Sequence, residues 1–158
     1  MKKTLITVLF FCITYSGFAQ GKLISYEEIQ FLLQNNINRD DSLLLSKGYT
    51  QTEKNDKKKT RLYTLNTNRG TFVKLGMRAD GRRMFLELET NDIQQHDVVV
   101  SSIEQYPHKT ETMGDILIYT IKDLAIIYIT STDMKPYDPM KKNYLMQVAP
   151  EKNVMAFD

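Results

Sequence analysis

Cysteine is nearly absent from this sequence, since Cys12 is the only one among 158 residues. A single cysteine cannot form an intramolecular disulfide or build a zinc site of the cysteine type. Cys12 also lies in a leader that we expect to be cleaved, and the three residues before it lack the small side chains of a lipidation signal. The mature chain must therefore be held together by its hydrophobic core, without a disulfide or a reactive thiol.

Sequence motifs for catalysis and cofactor binding are also missing. The chain has no HExxH spacing, calcium-loop pattern, glycine-rich phosphate loop, nucleophile elbow or dinucleotide fingerprint. It has only two histidines, His96 and His108, and we interpret both as surface residues. We therefore predict no metal site, no cofactor and no catalytic residue. One alternative stays open, an envelope hydrolase in which His96 would act as the base for Ser101 or Ser102.

The longest apolar stretch of the chain is too short to span a bilayer. It runs from Leu5 to Ile13 after two lysines, and the small residues of Gly17-Phe18-Ala19 follow it. This arrangement is typical of a secretory signal peptide. We therefore predict a signal peptide over residues 1–19, cleavage before Gln20, and a periplasmic or secreted protein of a Gram-negative bacterium. No later segment of the sequence has the length and hydropathy of a transmembrane segment.

The chain has no large excess of charge of either sign. Its formal net charge is +2, from 21 basic and 19 acidic residues, and two of the basic residues lie in the predicted signal peptide. The mature chain is therefore close to neutral. Because a nucleic-acid-binding protein needs a clear basic surplus, we do not expect nucleic acid as a partner.

Three helices are predicted from capping residues and from apolar residues at helical spacing. Each predicted helix starts at side chains that can bond free backbone amides: Ser25 for the first, Asn35-Asn36 and Asn38-Arg39-Asp40-Asp41 for the second, and Thr90-Asn91-Asp92 for the third. Glu28 completes a capping box with Ser25. Gly48 is placed to end the second helix in the left-handed conformation, and Pro107 stops the third.

The rest of the mature chain alternates between apolar and polar residues, which is typical of β-strands. We predict strands over 49–54, 60–66, the two flanks of Asp80-Gly81, 108–113, 116–121, 124–130 and 144–148. Asp80-Gly81 is interpreted as a two-residue hairpin turn. That turn sets Met77 opposite Met84, Gly76 opposite Phe85, Lys74 opposite Glu87, and Arg78 opposite Arg83.

A second predicted hairpin, turning at Lys122-Asp123, is apolar on both faces. One face carries Leu117, Tyr119, Ile121, Leu124, Ile126 and Tyr128, and the other carries Ile116, Ile118, Ala125, Ile127 and Ile129. Helices on one side of a sheet bury only one of these faces. The other face is expected either to be covered, within the monomer or in a homodimer, or to be an open, tyrosine-bearing surface for a partner.

The order of helix and then four strands occurs twice along the chain. In the second strand of each unit, Leu62–Leu65 parallels Ile118–Ile121, and in the fourth strand Met84–Leu88 parallels Tyr144–Val148. A period of this size indicates tandem supersecondary units.

From this repeat we predict an α+β fold with a single domain over residues 20–150. Its two helix-plus-four-strand units, 24–90 and 91–149, form one curved antiparallel sheet with the helices on one face. Residues 151–158 show no pattern and are expected to be a flexible tail.

In its order of elements the chain resembles the β-lactamase inhibitor proteins, and also small, uncharacterised secreted bacterial proteins of the same layout. The resemblance covers nearly the whole mature chain, but no family-specific motif is present, and the disulfides of the family's known members are absent here. The resemblance implies the tandem sheet architecture. As a function, it implies an immunity-type inhibitor of a secreted enzyme.

The function that we predict from the residues is non-catalytic binding of a protein or peptide in the cell envelope through an open face of the sheet. The candidate binding residues are Tyr119, Tyr128 and Phe85, together with the arginines Arg78, Arg82 and Arg83 around the first hairpin turn. Tyrosine suits this role because its ring can be buried while its hydroxyl stays hydrated. The arginines would suit an anionic partner.

Overall fold

The computed structural model describes residues 21–67, 70–133 and 142–150. The predicted signal peptide over 1–19 and the predicted tail over 151–158 lie outside the described residues. The described helices are α1 (Tyr26–Gln34), α2 (Ile37–Ser46) and α3 (Ile93–Ile103).

Eight described strands form one antiparallel sheet. They are β1 (Thr50–Asn55), β2 (Thr60–Asn66), β3 (Phe72–Asp80), β4 (Arg83–Thr90), β5 (His108–Met113), β6 (Ile116–Ile121), β7 (Ala125–Asp133) and β8 (Lys142–Pro150). Their order across the sheet is β1-β2-β3-β4-β8-β7-β6-β5. The edges of the sheet are therefore β1 and β5, and its central pair is β4 with β8.

The sheet consists of two four-stranded meanders that meet along β4 and β8. Glu87 pairs with Gln147 in this central pair. The two residues occupy the same position in the two segments that the sequence repeat aligns, Met84–Leu88 and Tyr144–Val148. An approximate two-fold axis therefore passes through the sheet at this pair. The predicted α+β fold, with two helix-plus-four-strand units in one antiparallel sheet, is confirmed.

The helices lie on one face of the sheet. Both α1 and α3 contact β4, and the strand residues on this face form the core. In the central strands these buried residues are Val73, Leu75, Met77, Met84, Leu86, Leu88, Met146 and Val148. The alternate residues of each strand point to the opposite side, which no described helix or strand covers. We refer to that side as the open face.

Two of the three helices begin where the capping residues predict. The Ser25 amide donates a hydrogen bond to Glu28 Oε2 at 2.8 Å. The Gln94 amide donates to the side chain of Asp92 at 3.0 Å. Gly48 follows α2 with a φ of +88°, as the prediction of a left-handed glycine requires.

The second helix begins at the start of the segment that was predicted to cap it. Its cap is Asn36, whose side chain accepts a hydrogen bond from the Arg39 amide at 3.0 Å. Asp40 and Asp41 therefore lie within the helix, and their interpretation as caps is wrong. Asp40 is fully buried, and neither of its carboxylate oxygens has a hydrogen-bond partner among the described residues. Burial raises the pKa of Asp40 to about 8, and the neighbouring Asp41 carboxylate adds to this rise.

Helix α3 of the second unit binds the chain that leads into α1 of the first. The buried Gln95 side chain donates to the Ile24 carbonyl at 2.7 Å and accepts from the Ile24 amide at 2.9 Å. The Ser102 hydroxyl oxygen accepts from the Tyr26 amide at 2.8 Å. The Tyr26 amide belongs to the first turn of a helix, where amides have no partner within the helix. Side chains from the second unit thus satisfy backbone groups of the first.

The hairpin of β3 and β4 forms, but its turn differs from the prediction. Asp80 pairs with Arg83, so the turn residues are Gly81 and Arg82. Gly81 has a φ of +60°, which a type II′ turn requires at its first central position. The glycine is thus the first turn residue and not the second.

This change shifts the register of the hairpin by two residues, and the predicted cross-strand pairs are wrong. The observed pairs are Met77 with Leu86, Gly76 with Glu87, Lys74 with Glu89, and Arg78 with Phe85. Because the shift is even, every side chain stays on its predicted face. Arg83 lies opposite Asp80 in the observed register and not opposite Arg78.

The turn between β6 and β7 contains three residues and not two. Ile121 pairs with Ala125, and Asp123 in the turn adopts a φ of +63°. A shift by one residue exchanges the two faces of a strand. Tyr119 therefore lies on the helix-covered face and Tyr128 on the open face, so the prediction that they share a face is wrong.

Candidate functional site

The open face differs in chemistry between its two four-stranded halves. On β6, β7 and β8 it carries partly exposed apolar residues, which we call the apolar patch: Ile116, Ile118, Ile126, Tyr128, Leu145 and Ala149. On β3 and β4 it carries mainly charged residues: Lys74, Arg78, Arg83, Glu87 and Glu89. The two sets meet along the central pair of strands.

An open groove of about 580 Å³ lies at this junction. Its open-face lining residues are Thr60, Gly76, Arg78, Phe85, Glu87, Tyr128, Gln147 and Ala149. Gly76 has no side chain and Ala149 has only a methyl group, so the sheet surface is low at these positions. The two aromatic residues, Phe85 on β4 and Tyr128 on β7, lie on opposite sides of β8.

The polar residues of the groove are held in place by their neighbours. Gln147 Nε2 donates a hydrogen bond to Glu87 Oε2 at 3.1 Å. The guanidinium of Arg78 lies 5.1 Å from the centre of the Phe85 ring, which is a cation–π contact. The groove therefore presents a cation, an amide-bound carboxylate and two aromatic rings.

Three of the six predicted binding residues line this groove: Arg78, Phe85 and Tyr128. Arg82 and Arg83 are exposed at the β3–β4 turn and do not line it. The structure thus brings together one arginine and two aromatic rings from three different strands.

Tyr119 belongs to the core and not to the open face. Its exposed fraction is 5%, and its ring contacts the His108 ring at a centroid distance of 5.5 Å. Burial raises the pKa of Tyr119, and the charge of Glu104 adds to the rise. A partner on the open face cannot contact this side chain in the folded domain.

Sequence reasoning did not identify the groove residues of β8, Gln147 and Ala149. The predicted strand over 144–148 had the right alternation of faces. Gln147 therefore lies on the face of the sheet away from the buried Met146 and Val148. The sequence did not indicate which strand of the sheet pairs with this one. Only the pairing of the last strand with β4 places Gln147 at the centre of the sheet.

The helix-covered side contains a second, smaller cavity of about 370 Å³, at the start of α3. His96 lines it with Asp115, Ser131, Lys142 and Tyr144, and the rings of His96 and Tyr144 are 4.4 Å apart. His96 Nδ1 lies 2.9 Å from the carboxylate of its neighbour Asp97.

The two serines considered as nucleophiles for His96 bond to the backbone of their own helix. Ser101 Oγ donates to the Asp97 carbonyl at 2.6 Å, and Ser102 Oγ donates to the Val98 carbonyl at 2.7 Å. Neither hydroxyl forms a hydrogen bond with the imidazole in the described structure. The arrangement lacks the contact between base and nucleophile that activates a serine.

Within the described ranges there is no group of three or more histidine, cysteine, aspartate or glutamate side chains that could hold a metal ion. No helix among those same residues has the length and apolar character needed to cross a membrane. No family model, curated protein or solved structure matches this chain. The similarity to the β-lactamase inhibitor proteins therefore stays a prediction from element order.

Proposed function

We propose that this chain is an exported, non-catalytic binding protein that holds a protein or peptide partner on the open face of its sheet. The observation that supports this most strongly is the groove where the apolar patch meets the charged half. A groove with convergent polar groups and aromatic walls is the usual form of a binding site. The predicted signal peptide places the partner in the cell envelope or outside the cell.

The residue types in the groove indicate the chemistry of the partner. Tyrosine and arginine are enriched among residues that contribute most to protein binding, and here Tyr128 and Arg78 lie on opposite sides of the groove. A segment with an apolar side chain over the patch and an acidic group near Arg78 would complement both. We therefore propose a partner whose bound segment combines apolar and acidic residues.

Site-specific photo-crosslinking in the native cell envelope tests this proposal. A photoreactive amino acid at Ile126 would lie in the apolar patch, and the same amino acid at the exposed Ser101 on α3 serves as the matched control. We expect a distinct crosslinked partner from position 126 and not from position 101. Equal crosslinking from both positions would contradict the proposal.

Substitutions in the groove provide a second measurement. With the photoreactive residue kept at position 126, Arg78→Ala or Tyr128→Ala should reduce the crosslink yield by about tenfold, because each removes a large contact from a small site. An unchanged yield in both variants would show that the partner does not occupy the groove. A captured secreted enzyme that loses activity when bound would identify the immunity-type inhibitor that the family resemblance implies.

A further inference from the structure

We propose that two copies of this chain pair through the free edge of β5, antiparallel, with Thr110 on the two-fold axis, and so form one continuous sheet. This interface lies at the edge of the sheet and not in the groove. It therefore goes beyond the proposed binding function and does not depend on it.

Strand β5 is a regular edge strand of the sheet. All six of its residues are exposed, and no described strand lies beyond it. It pairs one-to-one with β6 from His108 opposite Ile121 to Met113 opposite Ile116, without a bulge. A regular exposed edge presents a row of unpaired amides and carbonyls to another strand.

The turn that follows β5 determines which backbone groups face outward. Gly114 and Asp115 form a two-residue turn, so Met113 and Ile116 are its closing, hydrogen-bonded pair. Hydrogen-bonded and non-hydrogen-bonded pairs alternate along an antiparallel ladder. Lys109 and Glu111 therefore bond towards β6 like Met113. The amides and carbonyls that point away from the sheet are those of His108, Thr110 and Thr112.

These outward groups define the register of a symmetric pair. Residues with outward groups must lie opposite residues with outward groups in the second copy. An antiparallel alignment centred on Thr110 satisfies all of them, because it sets Thr110 opposite itself and His108 opposite Thr112 of the second copy. A two-fold arrangement of this kind is closed and self-complementary.

The side chains of β5 complement each other in the same register. Lys109 lies opposite Glu111 of the second copy, and the symmetry creates this contact twice. Both side chains are more than half exposed, and within one chain their charged groups lie 2.5 Å apart. Met113, whose exposed fraction is 62%, lies opposite the exposed Pro107 of the second copy. Charge and apolar surface are thus both matched in the proposed pair.

The opposite edge of the sheet does not offer the same template. Strand β1 has an irregularity between Gln51 and Glu53, where its register with β2 shifts. Such a bulge disrupts the ladder and protects an edge from pairing. The structure therefore favours a closed dimer through β5 over an open chain of copies that joins β5 to β1.

Analytical ultracentrifugation of charge variants tests the interface. Lys109→Glu places glutamates opposite each other and should weaken dimerisation by about tenfold or more. The exchanged variant, Lys109→Glu with Glu111→Lys, restores opposite charges and should dimerise like the unchanged chain. The proposal is overturned if the unchanged chain is monomeric at about 1 mM, or if Lys109→Glu dimerises as tightly as the exchanged variant.

Cysteine crosslinking tests the register. Cys12→Ser removes the native cysteine, and one new cysteine is then introduced at position 110 or, as a matched control, at position 112. Thr110→Cys should form a disulfide dimer on oxidation, because paired residues in a ladder lie within disulfide range. Thr112→Cys should not, because its symmetry mate is displaced along the strand. Equal crosslinking of both variants would overturn the proposed register.

Discussion

The two halves of the sheet have the same backbone plan and different open faces. In the first unit the open face is charged, with an ion pair between Lys74 and Glu89 at 3.3 Å. In the second unit it is lined by the apolar patch. On the helix-covered face the buried strand residues of both halves are mainly apolar. The fold thus depends on the face that the units share, and binding is expected where they differ.

The largest expected effect contrasts the two faces of the second unit. Tyr119→Ala should lower the free energy of unfolding by about 3–5 kcal/mol, because it leaves a cavity in the core. Tyr128→Ala removes a partly exposed ring from the apolar patch and should cost about 1 kcal/mol or less. Urea denaturation measures both. Equal losses would mean that both rings are core residues and that the open face is covered.

A somewhat smaller effect is expected from breaking the contact between the units. Gln95→Leu should destabilise the domain by roughly 2–4 kcal/mol, because the buried amide and carbonyl of Ile24 both lose their partners. Gln94→Ala, at an exposed position of the same helix, is the control and should change stability by no more than about 0.5 kcal/mol. A loss as small as that of the control would show that Gln95 does not hold the first unit.

The first unit also differs from the second in having α2, with its buried Asp40. The folded protein keeps this carboxyl protonated up to about pH 8, whereas its ordinary pKa is 3.8. Between these values the folded state binds more protons than the unfolded state, so the contribution of Asp40 to stability falls as the pH rises.

Asp40→Asn should remove this pH dependence. The variant should match the unchanged chain near pH 4 and should be more stable by at least about 2 kcal/mol near pH 8, because unfolding then releases a proton from Asp40 in the unchanged chain and not in the variant. Urea denaturation across this pH range measures the difference. Glu53→Gln, at an exposed position of β1, should show no such trend. A constant difference between Asp40→Asn and the unchanged chain would contradict the raised pKa.

The smallest expected effect tests the register of the charged half. A double-mutant cycle of Lys74 with Glu89 should give a coupling energy of about 0.2–1 kcal/mol, because these residues lie directly opposite each other. The same cycle of Lys74 with Glu87 should give less coupling. The reverse result would support the register that was predicted from Asp80-Gly81.

Local signals in the sequence were sufficient for most elements of the fold. The caps at Ser25 and Asp92 located two helices, and the Gly114-Asp115 turn located the β5–β6 hairpin. The repeat then indicated two helix-plus-four-strand units in one antiparallel sheet. These features depend on a few neighbouring residues, which is why the sequence alone was informative.

The candidate site was predicted less well, because it depends on turn length and on distant pairing. Gly81 can serve as either residue of a two-residue turn, and the choice shifts the strand by two positions without changing faces. The extra residue in the turn at Asp123 has a larger effect, since it places Tyr119 and Tyr128 on opposite faces of the sheet. The buried position of Asp40 also follows from tertiary packing that no local pattern indicates.

The hydrogen bonds between α3 and the start of the domain also constrain how the chain folds. Gln95 and Ile24 are separated by 71 residues, and Ser102 and Tyr26 by 76. Contacts between such distant positions form slowly, because the intervening chain must first be ordered. The backbone groups of Ile24 and Tyr26 can therefore gain these partners only after the chain has been made as far as Ser102.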